Sequence, residues 1–167
     1  MSDPVSSEDP LRRFQERGDR ESLTRLIRAR GLDLDRYGAA VTALSPVLDA
    51  LASGESPLFA KVDRAAAESS AAEVEAVVGW MAGSDRANLR AGAIGLMGAL
   101  GWPSFLETLE SSLASEAPWE RLTAVRALAR MESGKATELL LQARADPDPE
   151  VRAEAARALD PAGGGSP

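Results

Sequence analysis

The chain has 167 residues, with 26 Asp and Glu against 19 Lys and Arg, and it contains no His and no Cys. That length fits one compact domain or one short repeat array. Lack of His and Cys excludes Ser-His-Asp and Cys-His catalysis, thiolate chemistry, disulfides and zinc sites of the usual ligand set. Only a carboxylate-only metal or acid–base site stays open, and no cofactor is expected. A net charge of −7 and an aromatic content of 4% argue against nucleic acid as a partner, because phosphate binding needs surplus Lys and Arg and base stacking needs rings.

Ala (31) and Leu (21) dominate the apolar residues, and Arg outnumbers Lys 17 to 2. Ala and Leu are strong helix formers, whereas the β-branched and aromatic residues that favour strands are sparse. The Arg excess is what a GC-rich coding sequence gives, a hint of a bacterial source. Residues 1–20 carry no apolar leader core. The longest apolar stretch, Ala91 to Trp102, has 12 residues, four of them Gly, too short for a membrane span. A soluble, cytoplasmic, all-α protein is expected.

Taken in order, residues 1–9 and 161–167 read as disordered ends, with few apolar side chains to bury. Helical periodicity runs from Pro10 to Arg17 and from Asp19 to Arg30, the latter with Leu23, Leu26 and Ile27 on one face and Gly31 as its stop. Tyr37, Val41, Leu44, Leu48 and Leu51 form a helical stripe that Pro46 is expected to kink or break. A helix over Pro57 to Ser69 follows, facing inward through Leu58, Val62 and Ala65/Ala66. Ser70-Ala-Ala-Glu73 has the form of a capping box, opening a helix with Val74, Val77, Val78 and Met81 inside. Further helices are expected over 85–101, 103–115, 118–132, 135–145 and 147–159. Their connections are two to four residues long, which makes consecutive helices antiparallel neighbours.

A shift of 31 residues superposes the second half of the chain on itself. Arg90, Arg121 and Arg152 fall in register, as do Ala93, Ala124 and Ala155, and Met97, Leu128 and Leu159. One helix earlier, Val78, Leu109 and Leu140 align, with Val74, Phe105 and Ala136 a turn before them. The second helices read LRAGAIGLMGAL (89–100), ERLTAVRALARM (120–131) and VRAEAARAL (151–159). They resemble HEAT-like repeats, in particular the short repeats of about thirty residues found in phycobilisome bilin-lyase proteins. The fullest match is DPDPEVRAEAARALD (146–160). The resemblance covers 71–160 and, more divergently, 37–69, and implies an α-solenoid of antiparallel helix pairs over 37–160. Residues 10–36 lie outside the repeat and read as an N-terminal helical cap. Stacked pairs share a continuous core, here layered as Leu96, Met97 and Leu100, then Val125 and Leu128, then Val151 and Leu159.

Arg121 lies within the apolar arc of Leu122, Val125, Leu128 and Ala129, with Arg90 and Arg152 at the edges of theirs. Each guanidinium is expected to reach a carboxylate or carbonyls in an inter-helix turn of an adjacent unit, with Asp85, Glu116, Asp146 and Asp148 nearby. This resembles the Arg–Asp ladder of HEAT proteins. A second candidate is the face of helix 85–101 that carries Gly92, Gly95 and Gly98, where something is expected to approach closely: a ligand, the N-terminal helices or the preceding pair. The Gly95 position becomes Arg126 and Arg157 in the following units, on a face bearing Trp119 and Arg130. Trp and Arg are common at binding hot spots. Trp80 and Trp102 read as packing at helix junctions, and the Arg-rich segment 12–30 as a solvated cap balanced by its acids.

These features lead to a non-catalytic adaptor that binds a protein or peptide on the face of the second helices, through Trp119, Arg126, Arg130, Arg157 and Gly95. The likeness to bilin lyases implies a role in chromophore attachment as an alternative. Nucleic-acid binding, as in HEAT-like glycosylases, is disfavoured by the acidity. The sequence names neither the partner nor the oligomeric state.

Overall fold

The computed structural model describes residues 9–56 and 61–161. Among these residues the secondary structure is helical throughout: α1 (Pro10–Arg17), α2 (Arg20–Ala29), α3 (Leu34–Ser53), α4 (Arg64–Ser69), α5 (Ala71–Ala82), α6 (Ala87–Leu100), α7 (Leu106–Leu113), α8 (Pro118–Leu128), α9 (Gly134–Ala143) and α10 (Pro149–Leu159). A short 3-10 turn, Pro103–Phe105, leads into α7. The chain divides into two compact units, Met1–Ala93 and Ile94–Pro167, with the boundary inside α6. The ends expected to be disordered fall mostly outside the described residues.

In the first unit α1 packs on α2 and α5, α2 on α3, and α3 on α4 and α5. Aspartates start most of these helices. The side chains of Asp9, Asp19, Asp33 and Asp63 accept N–H groups of the first turns of α1, α2, α3 and α4, satisfying donors that have no partner within the helix. Gly18 ends α1 at φ 67°, a left-handed conformation cheap only for glycine, and lies against the Leu89 side chain. The last turn of α5 and the loop after it are tied to α1 by three bonds: Gln15 Nε2 donates to Trp80 O, Ser84 Oγ to Gln15 O, and Arg86 to Glu16 O. Trp80 stacks on Tyr37 with centroids 6.1 Å apart, and the Arg30 guanidinium lies 5.3 Å above its ring.

Three local expectations are corrected here. Of the kink or break expected at Pro46, the break does not occur: α3 runs as one helix of 20 residues. Buried Ala40, Ala43 and Leu44 before the proline and Val47, Leu48 and Leu51 after it anchor both halves against the roughly 3 kcal/mol that an interior proline costs. The helix expected over Pro57 to Ser69 begins only at Arg64, because residues 61–63 are not helical, and its buried residue is Ala67 instead of Ala65 or Ala66; residues 57–60, Leu58 among them, lie outside the described residues. Ser70 makes no cap bond to α5. It closes α4 as well as opening α5, and its hydroxyl is used backwards, donating to Ala66 O at 3.1 Å.

In the second unit α7 packs on α8 and α9, α8 on α9 and α10, and α9 on α10. The 31-residue register becomes a burial register. Ala93, Ala124 and Ala155 are fully buried, as are Val78 and Leu109, with Leu140 nearly so. Alanine at these points lets helix axes approach closely. Met97 and Leu128 are buried, whereas Leu159 at the same register position is half-buried. Gly98 shows the closest approach: a Cβ added there would stand 2.7 Å from Ala127 Cα. The element that covers Gly98 is therefore α8, not the N-terminal helices or the preceding pair.

Candidate interaction surface

The turn before each second helix is built the same way three times. A side-chain oxygen at position 84, 115 or 146 accepts the N–H two residues on: Ser84 Oγ from Arg86 N at 3.1 Å, Ser115 Oγ from Ala117 N at 3.2 Å, Asp146 Oδ1 from Asp148 N at 2.8 Å. Such bonds are how Ser and Asp direct turns. Six residues later stands the repeating arginine, whose Nη1 donates to two turn carbonyls. Arg90 reaches Ser84 O (3.0 Å) and Asp85 O (2.9 Å), Arg121 reaches Ser115 O (2.8 Å) and Glu116 O (3.3 Å), and Arg152 reaches Asp146 O (2.7 Å) and Pro147 O (2.9 Å). The turn belongs to the arginine's own unit, so the expectation of carbonyls from an adjacent unit is corrected. Asp85 and Glu116 contribute main-chain oxygens to this arrangement.

Arg121 adds a second attachment. Its Nε and Nη2 donate to Asp146 Oδ2 and Oδ1 at 2.8 and 3.0 Å, a bidentate pair across to the next turn. Arg121 is only 9% exposed. Burial by itself raises the Asp146 pKa, but bonds from the Arg121 side chain and the Asp148 N–H, with the Arg121 charge, outweigh it and hold the carboxyl below its ordinary value. The Asp146 hydrogen bond raises the Arg121 pKa in turn. Among the described residues no buried side-chain nitrogen or oxygen is left without a partner.

The lateral face of α8 and α10 carries the other candidate residues. Trp119, in the first turn of α8, is 36% exposed. Arg126 lies seven residues further, two turns along the same face. Its Nε stands 3.7 Å from Glu154 Oε2, and Arg157 Nη1 donates to that same oxygen at 3.0 Å. The Glu154 side chain is 16% exposed, beneath arginines that are 52% and 67% exposed. The two guanidiniums thus share one half-buried carboxylate, and the trio has a net charge of +1. Arg130 falls in the turn after α8 and is exposed, because α8 ends at Leu128 and not near Glu132. Gly95 is half-buried on α6 and is not part of the ion-pair cluster. The sequence marks Glu154 only as half of a helical acidic pair with Glu150 that completes no metal site; its position three before Arg157 on one helix is the signal for the pairing seen here.

The described residues hold no group of three or more residues suited to a metal ion. No helix among them is long and apolar enough to cross a membrane.

Helices in a fixed register, each second helix carrying an arginine that bonds the carbonyls of the turn before it, define an α-helical repeat protein. The family model for HEAT repeats matches residues 74–160, slightly more than half of the chain, and the chain belongs to the HEAT-repeat family. That model describes HEAT repeats in general and does not single out the phycobilisome-lyase type. No curated protein and no solved structure matches the chain.

Proposed function

We propose that the chain is a non-catalytic HEAT-repeat module of antiparallel helix pairs, preceded by α1 and α2 as a cap, that binds a protein or peptide on the lateral face of its second helices. HEAT repeats commonly mediate protein–protein contacts, and a chain without His or Cys lacks the usual means of nucleophilic or zinc chemistry. One observation carries the choice of face: Glu154 fixes Arg126 and Arg157 side by side on a surface that also exposes Trp119. Trp and Arg are the residues most enriched at binding hot spots, and here two of the arginines are ordered before any partner arrives. The repeating Arg90, Arg121 and Arg152 act in this reading as structural staples of the array.

The test is affinity capture from extracts of the source organism with the wild-type chain and the Trp119→Ala/Arg126→Ala variant. A protein retained by the first and lost by the second, while Glu138→Ala retains it, supports this face. Equal retention by all three chains overturns it.

A further inference from the structure

We propose that the lateral face of α8 and α10 takes an acidic segment of another protein. One Asp or Glu carboxylate of that segment bridges Arg126 and Arg157 from the solvent side, and an apolar side chain about 10 Å away covers Trp119. The proposal rests on the face argued above and names the chemistry of its ligand.

Two contacts align the helices that carry this face. Arg121, early in α8, pairs with Asp146 just before α10, and Arg126, further along α8, approaches Glu154, further along α10. The two helices therefore run side by side in the same direction, and both belong to the second unit. Their exposed groups fall into two levels. Trp119 stands at the first, with the exposed Glu150 at the same register position of α10. Arg126 and Arg157, also one repeat apart, stand at the second, two turns or about 10 Å on. Between the levels α8 carries the short side chain of Thr123, whose hydroxyl is bonded back to Trp119 O at 2.7 Å, and α10 carries the exposed Ala153.

The arginine level is charged, ordered and short of acceptors. A guanidinium has five N–H donors. Arg157 gives one of them, on Nη1, to Glu154 Oε2 at 3.0 Å, and Arg126 only approaches that oxygen, at 3.7 Å. Among the described residues neither side chain has a further protein acceptor, and both are more than half exposed. Because both reach one oxygen, a second carboxylate can bridge them from outside as Glu154 does from beneath. Two arginines and two carboxylates make a neutral set, joined by charge-assisted bonds. A phosphate dianion overshoots that balance. Nucleic acid is held by a row of phosphate contacts, which two guanidiniums on a chain of net charge −7 do not supply. Glu150 repels a carboxylate from the Trp119 level, so the segment binds in one direction. The exposed indole at that level offers a broad apolar surface to an aliphatic or aromatic side chain. Side chains about 10 Å apart are seven residues apart in a helix and three in an extended segment.

The probe is a library of random dodecapeptides displayed on phage, selected on the immobilised full chain; displayed peptides have no free C-terminus, so any carboxylate selected is a side chain. The enriched peptides are expected to carry Asp or Glu three or seven residues from a large apolar residue. One of them, synthesised with an amidated end and followed by fluorescence anisotropy, should bind at least about tenfold more weakly after its acid is changed to the amide. Arg126→Gln and Arg157→Gln should cost a similar factor, and should add little once the peptide's acid is gone. Enriched peptides without an acid that still lose binding on Trp119→Ala overturn this proposal and leave the face standing. Peptides indifferent to Trp119→Ala and Arg126→Gln alike overturn the face itself, and with it the proposal. A selection without enrichment also overturns the proposal. Retention on immobilised duplex DNA that Arg126→Gln abolishes makes the ligand a phosphate, and a dimer in sedimentation that Arg126→Gln dissolves makes it a second copy; either result overturns the proposal.

Discussion

At the scale of single residues, Arg121 and Asp146 are the pair whose loss is felt most. Removing the guanidinium leaves the Asp146 carboxylate buried without its bidentate partner and the Ser115 and Glu116 carbonyls without their donor, and an orphaned buried charge is among the most damaging single changes. Arg121→Ala is expected to lower the Tm by more than about 5 °C, and Arg121→Lys to recover only part of it, because an ammonium lacks the planar fork. Thermal unfolding followed by circular dichroism measures both. Protonation tests the same pair from the other side. The folded-state pKa of Asp146 lies below the ordinary 3.8. Its contribution is therefore complete above that value and is lost as pH falls through the folded pKa. Asp19, where burial is the largest single effect but is outweighed by the Ser22 bonds and Arg17 taken together, is also held below its ordinary value and acts in the same direction. Between pH 6 and pH 3 the wild-type chain should lose more stability in urea melts than Asp146→Asn, which has no such charge to lose. Parallel losses would show that the pair does not govern the acid limb.

At the scale of helices, glycine separates two kinds of position that look alike in the sequence. Gly98 and Gly79 both sit inside helices, where alanine is intrinsically better by about 0.5–1 kcal/mol. A Cβ at Gly79 meets nothing within 4 Å, whereas one at Gly98 meets Ala127 Cα at 2.7 Å and Cβ at 2.9 Å, and a backbone atom in a packed helix has little room to yield. Gly79→Ala should therefore stabilise by that amount, while Gly98→Ala should cost about 1–3 kcal/mol through overpacking. Urea denaturation of the two variants decides the matter; stabilisation by both would mean that α6 and α8 are not held at this distance. The sequence signalled that something approaches the Gly-bearing face, because glycine inside a helix is unfavourable without a reason. It did not reveal that α8 is what approaches Gly98, since that depends on crossing angle and not on period. Pro46 taught the reverse lesson: a strong local signal yielded to burial on both sides of it.

At the scale of the whole molecule, the repeat was the most legible feature, because burial needs recur at a fixed interval and leave the same residue types behind. The register residues Ala93, Ala124 and Ala155 are all fully buried. The turn chemistry obeys the same interval but was hidden by its spelling. Ser84, Ser115 and Asp146 differ as letters while doing one job, presenting an oxygen to the N–H two residues ahead. The Glu154 cluster was not legible as a cluster. Nothing in the sequence says that Arg126 of one helix and Arg157 of another converge on one oxygen, which follows from how α8 lies against α10. Composition removed only the chemistry that needs His or Cys, and membership of the HEAT-repeat family rests on the interval that composition does not contain.

The shared carboxylate of Glu154 also bears on kinetics. A free arginine side chain carries about 2 kcal/mol of rotamer entropy that an ordinary encounter must remove before contact is productive. With Arg126 and Arg157 tethered to one oxygen, part of that loss is already borne by folding, so a partner seated there meets groups whose disorder has been reduced in advance. Glu154→Gln should then weaken such a complex mainly by speeding its dissociation, with the association rate nearly unchanged, even though the substitution makes the surface more positive. Surface plasmon resonance with the captured partner separates the two rates. A slower dissociation from Glu154→Gln would mean that charge, and not prior ordering, sets the lifetime of the contact.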